Sequence, residues 1–468
     1  MKFESVKSFY KKNKDVIVLA VITALILLAN FFKFLWPIAT VFLIFFFITS
    51  SFSDQICYIV FLSVFSGVSQ IYISAVLLCF LITTVRYVLD VKHGRKKFFK
   101  VPFFLTVIFL IVFSLIHGKI NVTGFFNWGL VTCLLFFIYF MFIYAREINI
   151  KKCFVCLFIS LCTSAVLGLA LSPIDEIRTK IYPFDGTYFR LRLFTLNVNH
   201  LAMFCLFEIV YVVYEIINYD IVKKSSFEFL KNKFFWIHAS MIAIMVVIGI
   251  LSLSKAFLLM LFLVFVYFMV FLIIKLRLKS LAGILPILGI VAAVCVLFKD
   301  FGQMLVSRFF AYDIWDTFFS KIFSGRTGIW SLYRDHIRGS IFSMLFGSGL
   351  LTQDLVAIGP HNVFIYFVFR VGFVGIIMLG TIVYFYIKEA DSKLKITYQN
   401  SLLLIVFIVL SLEEMIFSDR FFIFFIFGLL LASQPKRIKK PKNNEGLQNN
   451  DEKLIKNDEK DNKQANNL

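Results

Sequence analysis

The chain has 468 residues, of which 60% are hydrophobic and 16% charged, and its mean hydropathy is +0.87. Soluble domains average about 45–50% apolar and about 25% charged residues, so a water-soluble fold is excluded. A net charge of +20 would suit a nucleic-acid partner, but the cations sit at 7–14, 86–100, 146–152, 223–233, 275–279 and 436–442, each beside an apolar run. That is the pattern of a membrane protein whose basic loops stay in the cytoplasm, and no nucleic acid is expected to bind.

In chain order, residues 1–15 are basic and expected inside. The first apolar run has no clean small-residue cleavage site after it and reads as an uncleaved helix. Spans near 16–35, 38–53, 55–69 and 71–88 return the chain to the inside at 86–100. Helices near 101–117 and 125–145 close at the basic 146–152, and a helix near 153–172 leads out to an external loop, 172–196. Helices near 197–218, 234–252 and 256–274 follow, the last two turning outside at 253–255. A helix near 281–298 opens into a long external loop, 299–360, then come helices near 361–387, 401–417 and 420–433. The fold expected is all-α and polytopic, with 12–14 transmembrane helices over 16–434 and every basic loop on one side. Residues 435–468 are rich in Lys, Asn, Asp and Glu and read as a disordered cytoplasmic tail, its first lysines near anionic lipid.

The eight cysteines lie in apolar segments, so neither a disulfide framework nor a metal centre is indicated, and Cys153–Cys156 is a CxxC spacing with no second pair. No GxxxxGK[ST] or GxGxxG element occurs, which removes the usual signal of an ATP-driven transporter.

Four segments are expected to carry polar groups to the external face. Arg190 and Arg192 precede Asn199 at a helix start, and Ser252-Leu253-Ser254-Lys255 forms a tight turn. Gly325-Arg326-Thr327-Gly328-Ile329-Trp330 is followed by Phe346-Gly347-Ser348-Gly349. His361-Asn362 then opens a helix that contains Gly372 and Gly375. Cations with few acids suit an anionic group such as a diphosphate, and a histidine can take a proton from a sugar hydroxyl. Any one of these cations alone is equally accounted for by snorkelling to lipid head groups, and His361 alone by helix capping.

In these motifs and in topology over about 100–430, the chain resembles the O-antigen ligase and polymerase superfamily. The shared elements are Gly-Arg-x-x-x-Trp at 325–330, Phe-Gly-x-Gly at 346–349 and His-Asn at 361–362 before Gly-x-x-Gly at 372–375. An earlier Arg…Asn-x-x-Ala element matches Arg190, Asn199 and Ala202, with Leu193 and Val198 where the family has glycine and proline, and the family's Ser-Arg turn reads Ser254-Lys255.

The resemblance implies a metal- and cofactor-independent glycosyltransferase in the bacterial cytoplasmic membrane, its active face periplasmic or extracellular. Its donor would be an undecaprenyl-diphosphate-linked glycan, and its partners membrane lipid and the flippase and chain-length regulator proteins of the same process. It further implies that Arg190, Arg192, Lys255 and Arg326 hold the diphosphate, that His361 activates the acceptor hydroxyl and that Asn362 orients it. A polymerase of lipid-linked repeat units is the first reading, a ligase to lipid A-core the second, and a flippase for the same lipid-linked sugar the reading from another class.

Three supporting features complete the expectation. Asn199 belongs to the first motif. Glu413 and Glu414, with Asp419 and Arg420, mark the outer end of the last hairpin and are either solvated or paired with a site cation. Glu208 and Arg370 lie nine positions after Asn199 and His361, at matching depth: either they form a buried ion pair, or Arg370 lines a lipid-tail or water-filled groove and Glu208 bonds to a neighbouring hydroxyl.

Overall fold

The computed structural model of the protein describes residues 17–25, 28–29, 32, 35–67, 71–116, 122–171, 178–180, 189–218, 233–276, 326–352, 355, 360–389 and 427–430. The expected spans near 281–298 and 401–417, the acidic cluster Glu413, Glu414, Asp419 and Arg420, and both terminal segments lie outside them.

The described residues are mostly helical. The elements are α1 (Trp36–Thr49), α2 (Phe52–Ser63), α3 (Ile71–Lys92), α4 (Lys100–Leu115), α5 (Val122–Ile143), α6 (Ile150–Leu171), β1 (Arg178–Lys180), β2 (Phe189–Leu191), α7 (Val198–Asn218), α8 (Lys233–Leu251), α9 (Lys255–Leu276), α10 (Arg326–Arg338), α11 (Ile341–Phe346) and α12 (Val363–Glu389). Five helical stretches, within α3, α6, α7, α8 and α12, are long and apolar enough to cross a membrane, and α1, α2, α4, α5 and α9 hold shorter apolar stretches.

Two of the expected loops carry structure of their own. The segment 172–196 contains a two-stranded antiparallel ladder in which Thr179 pairs with Arg190, a small departure from an all-α chain. The segment 299–360, expected as one loop, carries the amphipathic α10 and the short α11. Length and polarity identified a non-spanning segment there. A helix that lies outside the bundle needs only one apolar stripe, and mean hydropathy does not register it.

Packing gives the bundle two distinct ends. At one, α2 and α6 begin side by side: the Asn149 amide donates to Ser53 Oγ at 3.0 Å, and Lys152 Nζ lies 2.7 Å from Asp54 Oδ1. Glu147 there takes both Arg86 at 2.8 Å and Lys96 at 3.0 Å, while Tyr144 donates to Asp90 at 2.9 Å. The two helices then run parallel, with Cys57 and Cys153 sulfurs 3.5 Å apart and Ser160 Oγ donating to Phe61 O at 2.6 Å.

At the other end, the amide of Gly67 donates to Phe194 O at 2.9 Å. A Cβ on Gly67 would lie 2.4 Å from Thr195 O, so only glycine lets α2 finish against the approach to α7. Tyr211 of α7 stacks on Phe154 of α6 at 4.0 Å. On the far side of the bundle Thr106 of α4 and Tyr386 of α12 share a hydrogen bond of 2.7 Å. The ion-paired end coincides with the basic segments that charge assigns to the cytoplasm, and the motif residues gather at the opposite end.

Candidate functional site

The first group forms around Arg190. After β2 the chain turns sharply: Leu193 adopts φ 49, and Thr195 donates through its amide and its hydroxyl to Arg192 O, at 3.1 and 2.6 Å. Asn197 then caps α7, its Oδ1 accepting the His200 amide at 3.0 Å. This delivers Asn199 to the side of Arg190, whose Nη2 donates to Asn199 Oδ1 at 2.9 Å. Arg190 Nε donates in addition to Ser252 O at 2.9 Å.

Ser252 belongs to the turn between α8 and α9. There Leu253 has φ 49, Ser252 Oγ donates to Gly249 O at 2.6 Å, and the Ser254 amide donates to Ser252 Oγ at 3.3 Å. Ser252, Ser254 and Lys255 are all buried. A planar fork with donors in two directions is what lets one side chain bind a helix start and a helix–helix turn together, a geometry that an ammonium does not reproduce. Arg190 and Asn199, expected in one segment, and the Ser252–Lys255 turn, expected in another, are therefore one assembly. Arg192, half-buried, sits two positions along the same approach.

The second group forms where α10, α11 and α12 meet. Arg326 opens α10, and one turn later Trp330 Nε1 donates to Pro360 O at 2.8 Å. Arg326–Trp330 of the Gly-Arg-x-x-x-Trp element is thereby fixed against the residue that precedes His361. His361 itself has φ 48, a left-handed conformation uncommon for a bulky side chain. Asn362 is buried and caps α12: its Oδ1 accepts the Ile365 amide at 3.0 Å and its carbonyl accepts the Tyr366 amide at 2.9 Å. The resemblance assigns Asn362 to the acceptor. In the structure its amide oxygen holds the helix start, so it fixes the position of His361 from the next residue.

The glycine motifs interlock. α12 is broken at Gly372, which has φ 61, and the break turns the carbonyls of Phe369 and Arg370 out of the helix ladder. The Phe346–Gly349 segment fills the gap: the Ser348 amide donates to Phe369 O at 2.7 Å and the Gly349 amide to Arg370 O at 2.9 Å. Backbone meets backbone so closely that a Cβ on Gly347 would lie 2.5 Å from the Arg370 carbonyl carbon, and one on Gly372 would lie 2.3 Å from that of Leu345. The Leu350 amide then donates to Phe113 O at 2.9 Å, tying this knot to the end of α4.

Two residues here were not foreseen. Tyr333, buried, packs edge-on against Phe369 at 5.0 Å, and His336 Nε2 lies 3.0 Å from Ser348 Oγ. They stand three and six positions beyond Trp330, so helical spacing from the motif was the signal available for both.

The Glu208–Arg370 ion pair is not formed. Both Glu208 oxygens are buried with no hydrogen-bond partner among the described residues. The helix that carries Glu208 packs on α6, α8 and α9, whereas α12 packs on α4, α5, α10 and α11. Arg370 is fully buried, with its guanidinium over the Tyr366 ring at 5.1 Å and the Phe369 ring at 5.5 Å. Matching depth along two helices did not make them neighbours, because depth carries no information about azimuth or helix order.

No family model, no curated protein and no solved structure matches the chain.

Proposed function

We propose that the protein polymerises undecaprenyl-diphosphate-linked oligosaccharide repeat units into O-antigen or capsular polysaccharide at the external face of the bacterial cytoplasmic membrane. The observation that carries this reading is the Trp330–Pro360 hydrogen bond, which brings the start of the Arg326 helix to the His361 turn. In the reaction, His361 takes the proton of the acceptor hydroxyl, whose oxygen attacks the anomeric carbon of the donor. The bond from that carbon to the diphosphate breaks, and the polyprenyl diphosphate leaves with its electron pair. Arg326, joined by Arg190, Arg192 and Lys255, offsets the charge that develops on it, the demand that glycosyl transfer from a diphosphate makes of its site. Asn362 and the Gly347–Gly372 crossing hold the base in place.

A ligase that uses the same donor and lipid A-core as acceptor would draw on the same residues. The two readings, and a flippase, separate on the phenotype of a gene deletion. Glycans of a single repeat on the cell surface support the polymerase. Lipid-linked polymer that accumulates without transfer supports the ligase, and repeat units trapped on the cytoplasmic side support the flippase.

A further inference from the structure

Among the five membrane-length helices described, α7 is the most enclosed. Of its span-length window Val198–Ile217, 94% is buried, against 22% to 44% for the other four membrane-length helices. It nevertheless carries two carboxylates on one face, Glu208 and, seven positions further, Glu215. Glu208 is 0% exposed, and neither of its oxygens has a hydrogen-bond partner among the described residues.

Among the described residues, the titratable groups in its electrostatic reach supply no positive charge. Cys162 of α6 and, on its own helix, Cys205 and Tyr211 lie within its electrostatic reach, and Glu215 faces Tyr211 in turn. Among the described residues, the charged or titratable groups of α8 are Lys233 and His238, towards the ion-paired end; those of α9 include Lys255 at the Ser252 turn and Tyr267. Glu208 lies about 13 Å along the axis from Asn199, which meets that turn through Arg190. A carboxylate accepts hydrogen bonds and donates none, and a lone charge at this depth costs at least about 2.5–3.5 kcal/mol on insertion scales.

We propose that Glu208 is a membrane-core site for a single positive charge taken from solution, a proton or a sodium ion. A proton forms an O–H bond with one carboxylate oxygen, whereas a sodium ion binds both oxygens and needs further oxygen ligands beside them. Either way the group becomes neutral overall, as its surroundings require. The site is independent of the glycosyl-transfer reading and stands or falls separately from it.

The test is the thermal midpoint of the purified full-length protein in detergent, measured from acid to alkaline pH and, at fixed pH, in sodium chloride against matched choline chloride. A ligand that binds only the folded state raises Tm with its concentration. The wild type is expected to gain Tm either as pH falls, which identifies a proton site, or as sodium replaces choline, which identifies a sodium site. Glu208→Gln, neutral and of equal size, should lose that response and be at least as stable as wild type where the ligand is scarce. Identical responses in both proteins overturn the proposal.

If the variant does not fold, dicyclohexylcarbodiimide, which adds to protonated carboxyls in apolar surroundings, decides on the wild type by peptide mass spectrometry. An adduct at Glu208 that declines as pH rises, or that sodium suppresses, supports the site. No adduct at Glu208, or an adduct indifferent to both, overturns it.

Discussion

Arg190 and Asn199, nine positions apart in sequence, are joined by a 2.9 Å hydrogen bond from Nη2 to Oδ1, and the same guanidinium reaches Ser252 O with Nε. A strand, a helix start and a helix–helix turn thus depend on one side chain. Hydrogen bonds to a charged group are worth about 1.5–3 kcal/mol each when one partner is removed. Arg190→Lys keeps the charge but not the two directions of donation. It is expected to lower Tm and to abolish polymer formation together, whereas Asn199→Ala should lower Tm less. A Lys variant with wild-type Tm would show that the guanidinium does not hold these elements.

The Gly347–Gly372 crossing is the least forgiving part of the fold. Both residues have positive φ, and a Cβ on either would overlap backbone of the opposite segment. Gly347→Ala and Gly372→Ala should each destabilise by at least about 2 kcal/mol, from left-handed strain and overpacking combined. Detergent thermal melts check this, with Gly380→Ala, where a Cβ meets nothing within 4 Å, as the tolerant control.

Much of this was legible in the sequence, and the limits are instructive. Apolar runs bounded by basic segments located α3 through α9 and α12 to within a few residues, because desolvation of the backbone leaves helices as the open-membrane solution. That Arg190, Asn199 and the Ser252 turn share one end followed from topology, since they lie in segments expected on the same side. The interlock of Phe346–Gly349 with Gly372 was not legible. Two glycine motifs can be read singly, but their meeting is a backbone contact between distant segments. Glu208 and Arg370 fail for a related reason: hydropathy gives depth, while pairing needs the order of helices around the bundle.

The charges of the other end should behave differently. Glu147 bridges Arg86 and Lys96, but these side chains are 28% to 39% exposed, so solvent screens the pairs. Glu147→Gln is expected to cost no more than about 1 kcal/mol and to leave polymer length unchanged. A chain-length defect in that variant would bring the ion-paired end into the chemistry.

Topology has its own check. A cysteine introduced at the exposed Ser340, on the side of the motifs, should react with an impermeant thiol reagent in intact cells. One introduced at Arg95, beside the Glu147 ion pairs, should react only after the membrane is opened. The reverse pattern would place the motif end in the cytoplasm and remove the basis for an external polymerase.

The most direct measurement reconstitutes the purified protein in vesicles with an undecaprenyl-diphosphate-linked repeat unit and follows chain growth by gel and mass spectrometry. Wild type should extend the lipid-linked glycan and release polyprenyl diphosphate. Arg326→Ala and His361→Ala, each shown to retain wild-type Tm, should do neither, with rates down by a factor of at least about 100 for loss of the general base. Wild-type chain length and rate in the His361→Ala protein would contradict the assignment of that residue. Absence of any chain growth from the wild type with its lipid-linked substrate would contradict the polymerase itself.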